Sequence, residues 1–244
     1  MPLGNKQRND NAAEERSAGA LGHRSLVEAV TKAVAREIQT GRIKPGERIM
    51  PGELAKRLDV SQTPVREAMR TLEVQGLVIF DRRNTFASPL SLESINAIYD
   101  LRRLIECDAA RVSLKHQTPR DVERAKRAFE VLKKNAAEPY SEAFWESHRE
   151  FHWSIYRAGS NSEWPRRVLE MLWREVERYV TISIDTVGEF ASKRQFDAAM
   201  DEHAAILKLF IKKDARGLVA MVRRHLERTA GNLEESVEEI EQVR

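Results

Sequence analysis

The stretch SQTPVREAMR, residues 61–70, has the pattern of a helix with one apolar and one polar face. Ser61 is a residue type that favours the position just before a helix. Apolar residues follow at spacings of three and four, namely Val65, Ala68, Met69 and Leu72. Because Gly76 is a stop signal, the sequence predicts a helix that runs from Ser61 to about Gln75 and buries one face.

The neighbouring segments predict a winged helix-turn-helix domain. An apolar stripe of helical period ends at Gly41, and a short helix over about residues 52–58 lies only a few residues before Ser61. Leu77–Phe80 and Thr85–Ser88 have the composition of two short strands joined by a polar turn. Three short helices and a two-stranded ribbon form the winged helix-turn-helix, whose third helix inserts its N-terminal end into the DNA major groove.

The beginning of the third helix carries side chains that suit DNA contact. Gln62, Thr63 and Arg66 would lie near base edges and phosphates. Ser61 would lie at the positive end of the helix, where phosphate binds. Glutamine can pair with adenine, and arginine can pair with guanine or with phosphate, so the sequence leaves the partner of each open. A winged domain that docks another protein is the alternative.

The charge distribution agrees with a DNA-binding N-terminal third. The chain has 244 residues, 32% of them charged, and its 41 Lys and Arg against 38 Asp and Glu give a net charge of only +3. Residues 1–90 contain 15 Lys and Arg against 11 Asp and Glu, whereas residues 91–244 contain 26 against 27. This asymmetry indicates a polyanion-binding module, although sampling alone can produce a difference of this size.

The composition also indicates the compartment in which the protein works. No run approaches the roughly 18 apolar residues of a membrane span, and residues 1–20 are polar, without the apolar segment of a signal peptide. Cys107 is the only cysteine, which excludes an intrachain disulfide and a cysteine-based zinc site. We therefore expect a cytoplasmic protein with no membrane partner, whose residues 1–20 form a disordered arm.

After Ser88 only helical periods are present, and they predict an all-α domain. We expect an antiparallel bundle of about six helices with short connections, over Ser91–Lys115, Arg120–Asn135, Ser141–Ala158, Pro165–Asp185, Ala191–Lys213 and Asp214–Val243. The predicted fold is therefore mainly α, with a winged helix-turn-helix at residues 21–90 and a helical bundle at residues 91–244.

Four histidines have spacings that bring them together in such a bundle. His148 and His152 are four residues apart and share one helix face. His203 and His225 each lie 11 residues from Asp214, the expected turn, so they would stand level across a helical hairpin. Imidazole is a ligand for zinc, nickel, copper and iron, which makes the four a candidate metal site. Histidine pairs on a surface or in a core are the alternative, and for an isolated pair they are the commoner case.

A metal-dependent enzyme with a basic N-terminal module is the alternative function. The sequence HREFH at residues 148–152 resembles the zincin motif, but Arg149 stands where glutamate would follow the first histidine, and Glu150 would point away from the pair. The sequence contains no Glu-x-x-His pair, phosphate-binding glycine loop or nucleophile elbow. We therefore expect a protein that is not an enzyme.

The N-terminal third resembles the GntR-type transcription regulators over about residues 25–90. The matching pieces keep the order and spacing of that family and are Gly41–Glu47, Leu54-Ala55, Val60–Met69, Leu72-Glu73 and Gly76–Val78. Family members commonly have arginine where Gln62 stands, and glycine near the wing tip, where Arg83–Phe86 has none. The DNA contacts that we expect are Arg42, Ser61, Gln62, Thr63, Arg66, Arg70, Arg82 and Arg83, the last two with backbone phosphates.

Residues 92–230 resemble the FCD ligand-binding domain of the FadR branch of GntR-type regulators, and six helices are similar to its VanR-like subgroup. The matching pieces are Arg102–Glu106, Phe151-His152 with Asn161 following, Glu202–Ile206 and Arg224–Leu226. Many FCD domains bind a divalent metal through Asp, His, His and His. The resemblance thus implies the ligands His148, His152, His203 and His225, with His148 in the place of the aspartate. An all-imidazole set favours zinc or nickel over manganese or magnesium.

The same resemblance implies an organic-acid effector. Arg102 is the candidate carboxylate contact, with a surface or interdomain salt bridge as the alternative. Trp173 and Arg178 are candidate pocket residues, with core packing as the alternative for the tryptophan. The function that we expect is a homodimeric, DNA-binding transcription regulator, on family grounds a repressor. Its affinity for double-stranded operator DNA would change when a small carboxylate binds near the metal.

Overall fold

A computed structural model describes residues 25–82, 84–159, 163–187 and 191–243. The predicted arm at residues 1–20 lies outside the described residues, and so does Arg83. The chain divides into two compact units between Pro89 and Leu90. Helices dominate both, which confirms the predicted mainly-α fold.

The N-terminal unit contains three helices and a three-stranded sheet. Helix α1 is described over residues 25–39, and the other elements are β1 (Arg48–Ile49), α2 (Pro51–Arg57), α3 (Gln62–Val74), β2 (Val78–Asp81) and β3 (Asn84–Ala87). The antiparallel order is β1-β3-β2. The pair β2 and β3 is the predicted ribbon. Strand β1 was not predicted, because two residues are too few to show an alternating pattern.

The apolar face of α3 anchors the N-terminal unit. Val65, Met69 and Leu72 are almost completely buried, together with Val34 and Ile38 of α1. Burying a large aliphatic side chain contributes about 2 kcal/mol, so this face fixes the orientation of α3. The polar residues of α3 consequently face outward.

The C-terminal unit contains six α-helices within the described residues, as the sequence predicted. They are α4 (Leu92–His116), α5 (Pro119–Asn135), α6 (Glu142–Tyr156), α7 (Trp164–Val187), α8 (Lys193–Ile211) and α9 (Ala215–Val243). Helix α4 packs along α9, α5 packs against α6, and α8 packs against α9. None of the helices in the described part of the chain is long and apolar enough to cross a bilayer.

The turn between α8 and α9 sets the alignment of that hairpin. Lys213 takes a left-handed conformation with φ of 57°, and Asp214 begins α9 by accepting a 2.9 Å hydrogen bond from the N–H of Gly217. A Cβ atom at Gly217 would overlap the Asp214 carboxylate, so glycine permits this close approach. The turn therefore lies at Asp214, where the sequence predicted it.

Candidate functional site

Four histidines from three helices meet inside the C-terminal unit. One ligand nitrogen from each of His148, His152, His203 and His225 lies within 4.8 Å of the others. The ring centroids of His148 and His152 on α6 are 4.6 Å apart, and those of His203 on α8 and His225 on α9 are also 4.6 Å apart. The structure thus brings together all four histidines that the sequence singled out.

His152, His203 and His225 each have a ring nitrogen within hydrogen-bonding distance of another polar atom. The Nε2 atoms of His152 and His203 are 3.0 Å apart. His225 Nδ1 donates a 3.0 Å hydrogen bond to Glu202 Oε2, and His152 Nδ1 lies 3.3 Å from the Tyr156 hydroxyl. Nδ1 of His203 is buried.

Burial favours the neutral form of three of the four rings. It lowers the pKa well below the usual 6.5 for His148, His152 and His203, and neighbouring histidines reinforce the effect. Burial alone would raise the pKa of Glu202, but hydrogen bonds from His225 and Arg228 outweigh it and lower the pKa to about 2. Neutral imidazoles are the form that binds metal ions.

A cavity opens beside three of these rings. His148, His203 and His225 line it together with Arg102 from α4. Its walls are mostly apolar and include the aromatic residues Tyr140, Phe144, Trp145 and Phe196. Nε1 of Trp145 is buried there without a hydrogen-bond partner among the described residues. A mostly apolar pocket with a few convergent polar groups is the usual form of a small-molecule site.

The three predicted effector contacts have different positions. Arg102 lines the cavity and is buried, and its Nε atom is paired with Glu106 on the same helix, so the alternative of a surface salt bridge does not describe it. Trp173 and Arg178 are not among the residues that line this cavity, so their roles as effector contacts stay predictions. Helix α7 turns Val176 and Val180 toward it, and Arg178, two residues from each, points elsewhere.

Both of those α7 residues have other partners. Trp173 is buried, and its Nε1 donates a 3.0 Å hydrogen bond to Glu106 Oε1. It lies about one helical turn before Val176, which lines the cavity. Arg178 Nε donates a 3.1 Å hydrogen bond to Glu175. The core-packing alternative therefore describes Trp173.

Sequence reasoning did not assign roles to Glu106, Tyr156 or Glu202. Glu106 lies four residues after Arg102, and Tyr156 lies four residues after His152, so the spacing of helical neighbours offered a signal for both. Glu202 gave no such signal, because its contacts with His225 and Arg228 connect α8 to α9.

The predicted DNA contacts in the N-terminal unit are exposed. Every one that the structure describes faces solvent, namely Arg42, Ser61, Gln62, Thr63, Arg66, Arg70 and Arg82. The Gln62 amide nitrogen lies 3.5 Å from where a Cβ of Gly52 would be, so this side chain rests beside the start of α2. Arg82 takes the left-handed conformation, with φ of 53°, at the turn between β2 and β3 where glycine is absent.

Ser61 has the predicted position before α3, but its side chain does not cap the helix. It is the residue just before α3, yet its side chain makes no capping hydrogen bond. The cause is Pro64, the third residue of the helix, which has no N–H to donate. The hydroxyl of Ser61 is therefore not used for capping, and it stands exposed at the positive end of the helix.

Two protein-family models match the chain. The model of bacterial regulatory proteins of the gntR family matches residues 26–87, and the FCD domain model matches residues 97–228, more than half of the chain. The chain belongs to the GntR family of transcription regulators and carries an FCD domain. It is a DNA-binding regulator. Both matches are consistent with membership of the FadR branch of this family.

Similar proteins agree with that assignment. The HTH-type transcriptional regulator BphR of Paraburkholderia xenovorans is 28% identical over 211 residues, which are 84% of this chain and 83% of that protein. The gluconate operon transcriptional repressor of Bacillus subtilis is 23% identical over 207 residues, 82% of this chain and 81% of that protein. The solved structure of Escherichia coli McbR/YncC shares the fold, with a TM-score of 0.65 and 19% identity over 86% of this chain and 97% of that chain. These families are regulators and not enzymes, as predicted.

We expect the contacts of Glu202 to raise the free energy of unfolding of the metal-free protein. Replacing Glu202 by alanine leaves the buried donor of His225 and the partly buried donors of Arg228 without their acceptor, so we expect a loss of about 2 kcal/mol in the free energy of unfolding. Urea denaturation followed by tryptophan fluorescence reports this unit alone, because all four tryptophans, residues 145, 153, 164 and 173, lie in it. Glu238→Ala, at an exposed acid of α9, is the control and should change stability by about 0.5 kcal/mol or less. Equal stability of the two variants would contradict the prediction.

Proposed function

We propose that this GntR-family protein is a ligand-responsive repressor that acts as a homodimer. Residues 21–90 read operator DNA, and residues 91–244 bind a divalent metal, bind a small carboxylate effector and form the dimer. Binding of the effector changes the affinity for the operator. The observation that carries the proposal is the convergence of four histidines beside a cavity that Arg102 lines.

The donor set suits zinc or nickel. All four groups are imidazoles, and no carboxylate belongs to the cluster, which disfavours the hard cations magnesium and calcium. The ligand nitrogens lie within 4.8 Å of one another, whereas tetrahedral Zn–N bonds place neighbouring ligand nitrogens about 3.4 Å apart. The most widely separated rings must therefore close by roughly 1–1.5 Å when the metal binds, through changes in their side-chain torsions.

The cavity suits an organic acid. Arg102 supplies a permanent positive charge and a planar fork that matches a carboxylate, and the histidines on the same cavity would present the metal. The remaining wall is mainly apolar and favours a compact carbon skeleton. We therefore propose Arg102 as the contact to the carboxylate, and Trp173 and Arg178 stay predicted pocket residues that lie outside the lining of this cavity.

The exposed face of α3 and the wing suit DNA. Gln62, Thr63 and Arg66 are at the N-terminal end of α3, where base edges would be read, and Arg70 lies one turn further on. Arg82 at the wing would reach a phosphate, with the same role proposed for Arg83 and for Arg42. A glutamine at position 62 recognises a different base edge from arginine, so the operator differs from the one that family members with arginine read.

The dimer follows from the way helix-turn-helix proteins bind DNA. Two copies of the recognition helix read two half-sites, whose spacing matches the dimer axis. A regulator of this kind acts where the chromosome is, so we propose the cytoplasm as its compartment.

The metal proposal is tested by analysis of protein purified without a metal-affinity column. We expect about one zinc or nickel ion per chain and a higher melting temperature on adding either ion to the stripped protein. His203→Ala should lose the metal, whereas His116→Ala, at the exposed end of α4, should keep it. Absence of bound metal together with no thermal shift would refute the site.

The effector proposal is tested on the zinc-loaded protein with lactate, succinate and benzoate, against equal concentrations of chloride. At least one carboxylate should raise the melting temperature and release operator DNA. Arg102→Lys keeps a cation beside Glu106 but loses the planar fork, so we expect about tenfold weaker binding of that carboxylate. Unchanged affinity in Arg102→Lys would exclude Arg102 as the contact, and no response to any of the three would argue against a small carboxylate.

The DNA contact of Arg66 is tested with operator DNA selected by the wild-type protein. Arg66→Ala should cost about 1–3 kcal/mol of binding free energy and should reduce the dependence of affinity on salt if the contact is with phosphate. Arg120→Ala removes the same charge from an exposed position in the helical unit and is the control. An Arg66→Ala variant that binds as tightly as the control, with the same salt slope, would rule out the contact.

A further inference from the structure

Glu106 is a carboxylate with no solvent exposure that joins three helices. Its Oε1 accepts hydrogen bonds from Arg102 Nε at 2.8 Å and from Trp173 Nε1 at 3.0 Å. Its Oε2 accepts a 2.8 Å hydrogen bond from the Tyr156 hydroxyl. Burial of such a group is costly unless donors surround it. Its position is therefore defined by α4, α6 and α7 together.

The contact with Tyr156 determines what Tyr156 can offer to His152. A phenol has one proton, and this one is donated to Glu106. The Tyr156 oxygen can therefore only accept from His152 Nδ1, which lies 3.3 Å away. A hydrogen bond between the two therefore requires that neutral His152 carry its proton on Nδ1, which leaves a lone pair on Nε2. That Nε2 atom faces the cluster, 3.0 Å from His203 Nε2.

His225, on the opposite side of the cluster, also has a carboxylate that fixes its Nδ1 proton, and here the contact is direct. His225 donates from Nδ1 to Glu202, so its Nε2 atom also lacks a proton in the neutral ring. Two carboxylates, one acting through a tyrosine and one directly, thus select the same tautomer in two histidines. Carboxylate partners of this kind orient metal-ligating histidines and raise their basicity.

We propose that Glu106 is a positioning residue for both parts of the ligand site. Through Tyr156 it holds His152 with Nε2 directed at the metal position, and through Arg102 it holds the guanidinium on the wall of the adjacent cavity. This inference rests on the proposed function, because it concerns the same metal and effector site. A role for Glu106 limited to neutralising Arg102 in the core would leave His152 independent of Tyr156.

The test compares the full-length wild-type protein with Tyr156→Phe and Tyr179→Phe. Both variants delete one buried hydroxyl and keep the ring. Tyr179 contacts the backbone of Ser91 and lies outside the proposed site, so it is the matched control. Near-ultraviolet circular dichroism and the melting temperature establish that each variant is folded. Glu106→Gln is a third variant, because an amide cannot accept from all three donors.

Two measurements decide the proposal. Long-range proton–nitrogen NMR of the metal-free protein should show His152 protonated on Nδ1 in the wild type and in Tyr179→Phe, and a mixture of tautomers in Tyr156→Phe. Zinc affinity, measured by competition with a chelator, should fall about 10- to 100-fold in Tyr156→Phe and in Glu106→Gln. The control should stay within about threefold of the wild type, well below that range.

The opposite results overturn it. Protonation of His152 on Nε2 in the wild type, or a Tyr156→Phe variant with the tautomer and zinc affinity of the wild type, would show that Glu106 does not position His152. If the wild-type protein binds no zinc, the metal site of the proposed function fails instead. The tautomer comparison then decides the positioning role by itself.

Discussion

The buried carboxylate of Glu106 is the contact on which the helical unit depends. It receives hydrogen bonds from Arg102 on α4, Tyr156 on α6 and Trp173 on α7. Removing one partner from a buried charged group leaves the others uncompensated, typically at a cost of about 3–5 kcal/mol. The three helices are therefore held in one mutual arrangement by a polar group, whereas apolar packing alone tolerates repacking. The histidine cluster lies directly beside this contact.

The cluster combines neutral rings with fixed polar partners. Burial lowers the pKa of His148, His152 and His203, while Glu202 and Tyr156 occupy the Nδ1 sides of His225 and His152. These Nδ1 contacts leave the Nε2 atoms of His152 and His225 available to a cation. In the proposed function, the bound cation and Arg102 would then act on the same anionic effector. Metal and effector would consequently strengthen one another's binding, as any favourable interaction between two sites requires.

The sequence predicted the features that depend on local patterns. The six helices follow from apolar periodicity, and the level position of His203 and His225 follows from their equal distance to Asp214. That distance is informative only because Asp214 and Gly217 fix the turn at this point. The exposed polar start of α3 likewise follows from one short stretch, in which the apolar residues are buried and the polar ones are not.

Several features that sequence reasoning missed depend on contacts between elements or on the rotation of a helix about its axis. Glu202 reaches from α8 to α9, and no spacing along the chain records that contact. Trp173 and Arg178 have the chemistry of pocket residues, but the cavity is lined by Val176 and Val180 of α7, so a rotation of the helix by a fraction of a turn decides which residues meet a ligand. Ser61 failed as a cap for a local reason, the missing N–H of Pro64. A residue type therefore predicts a role only when the partner atom that the role requires is also present.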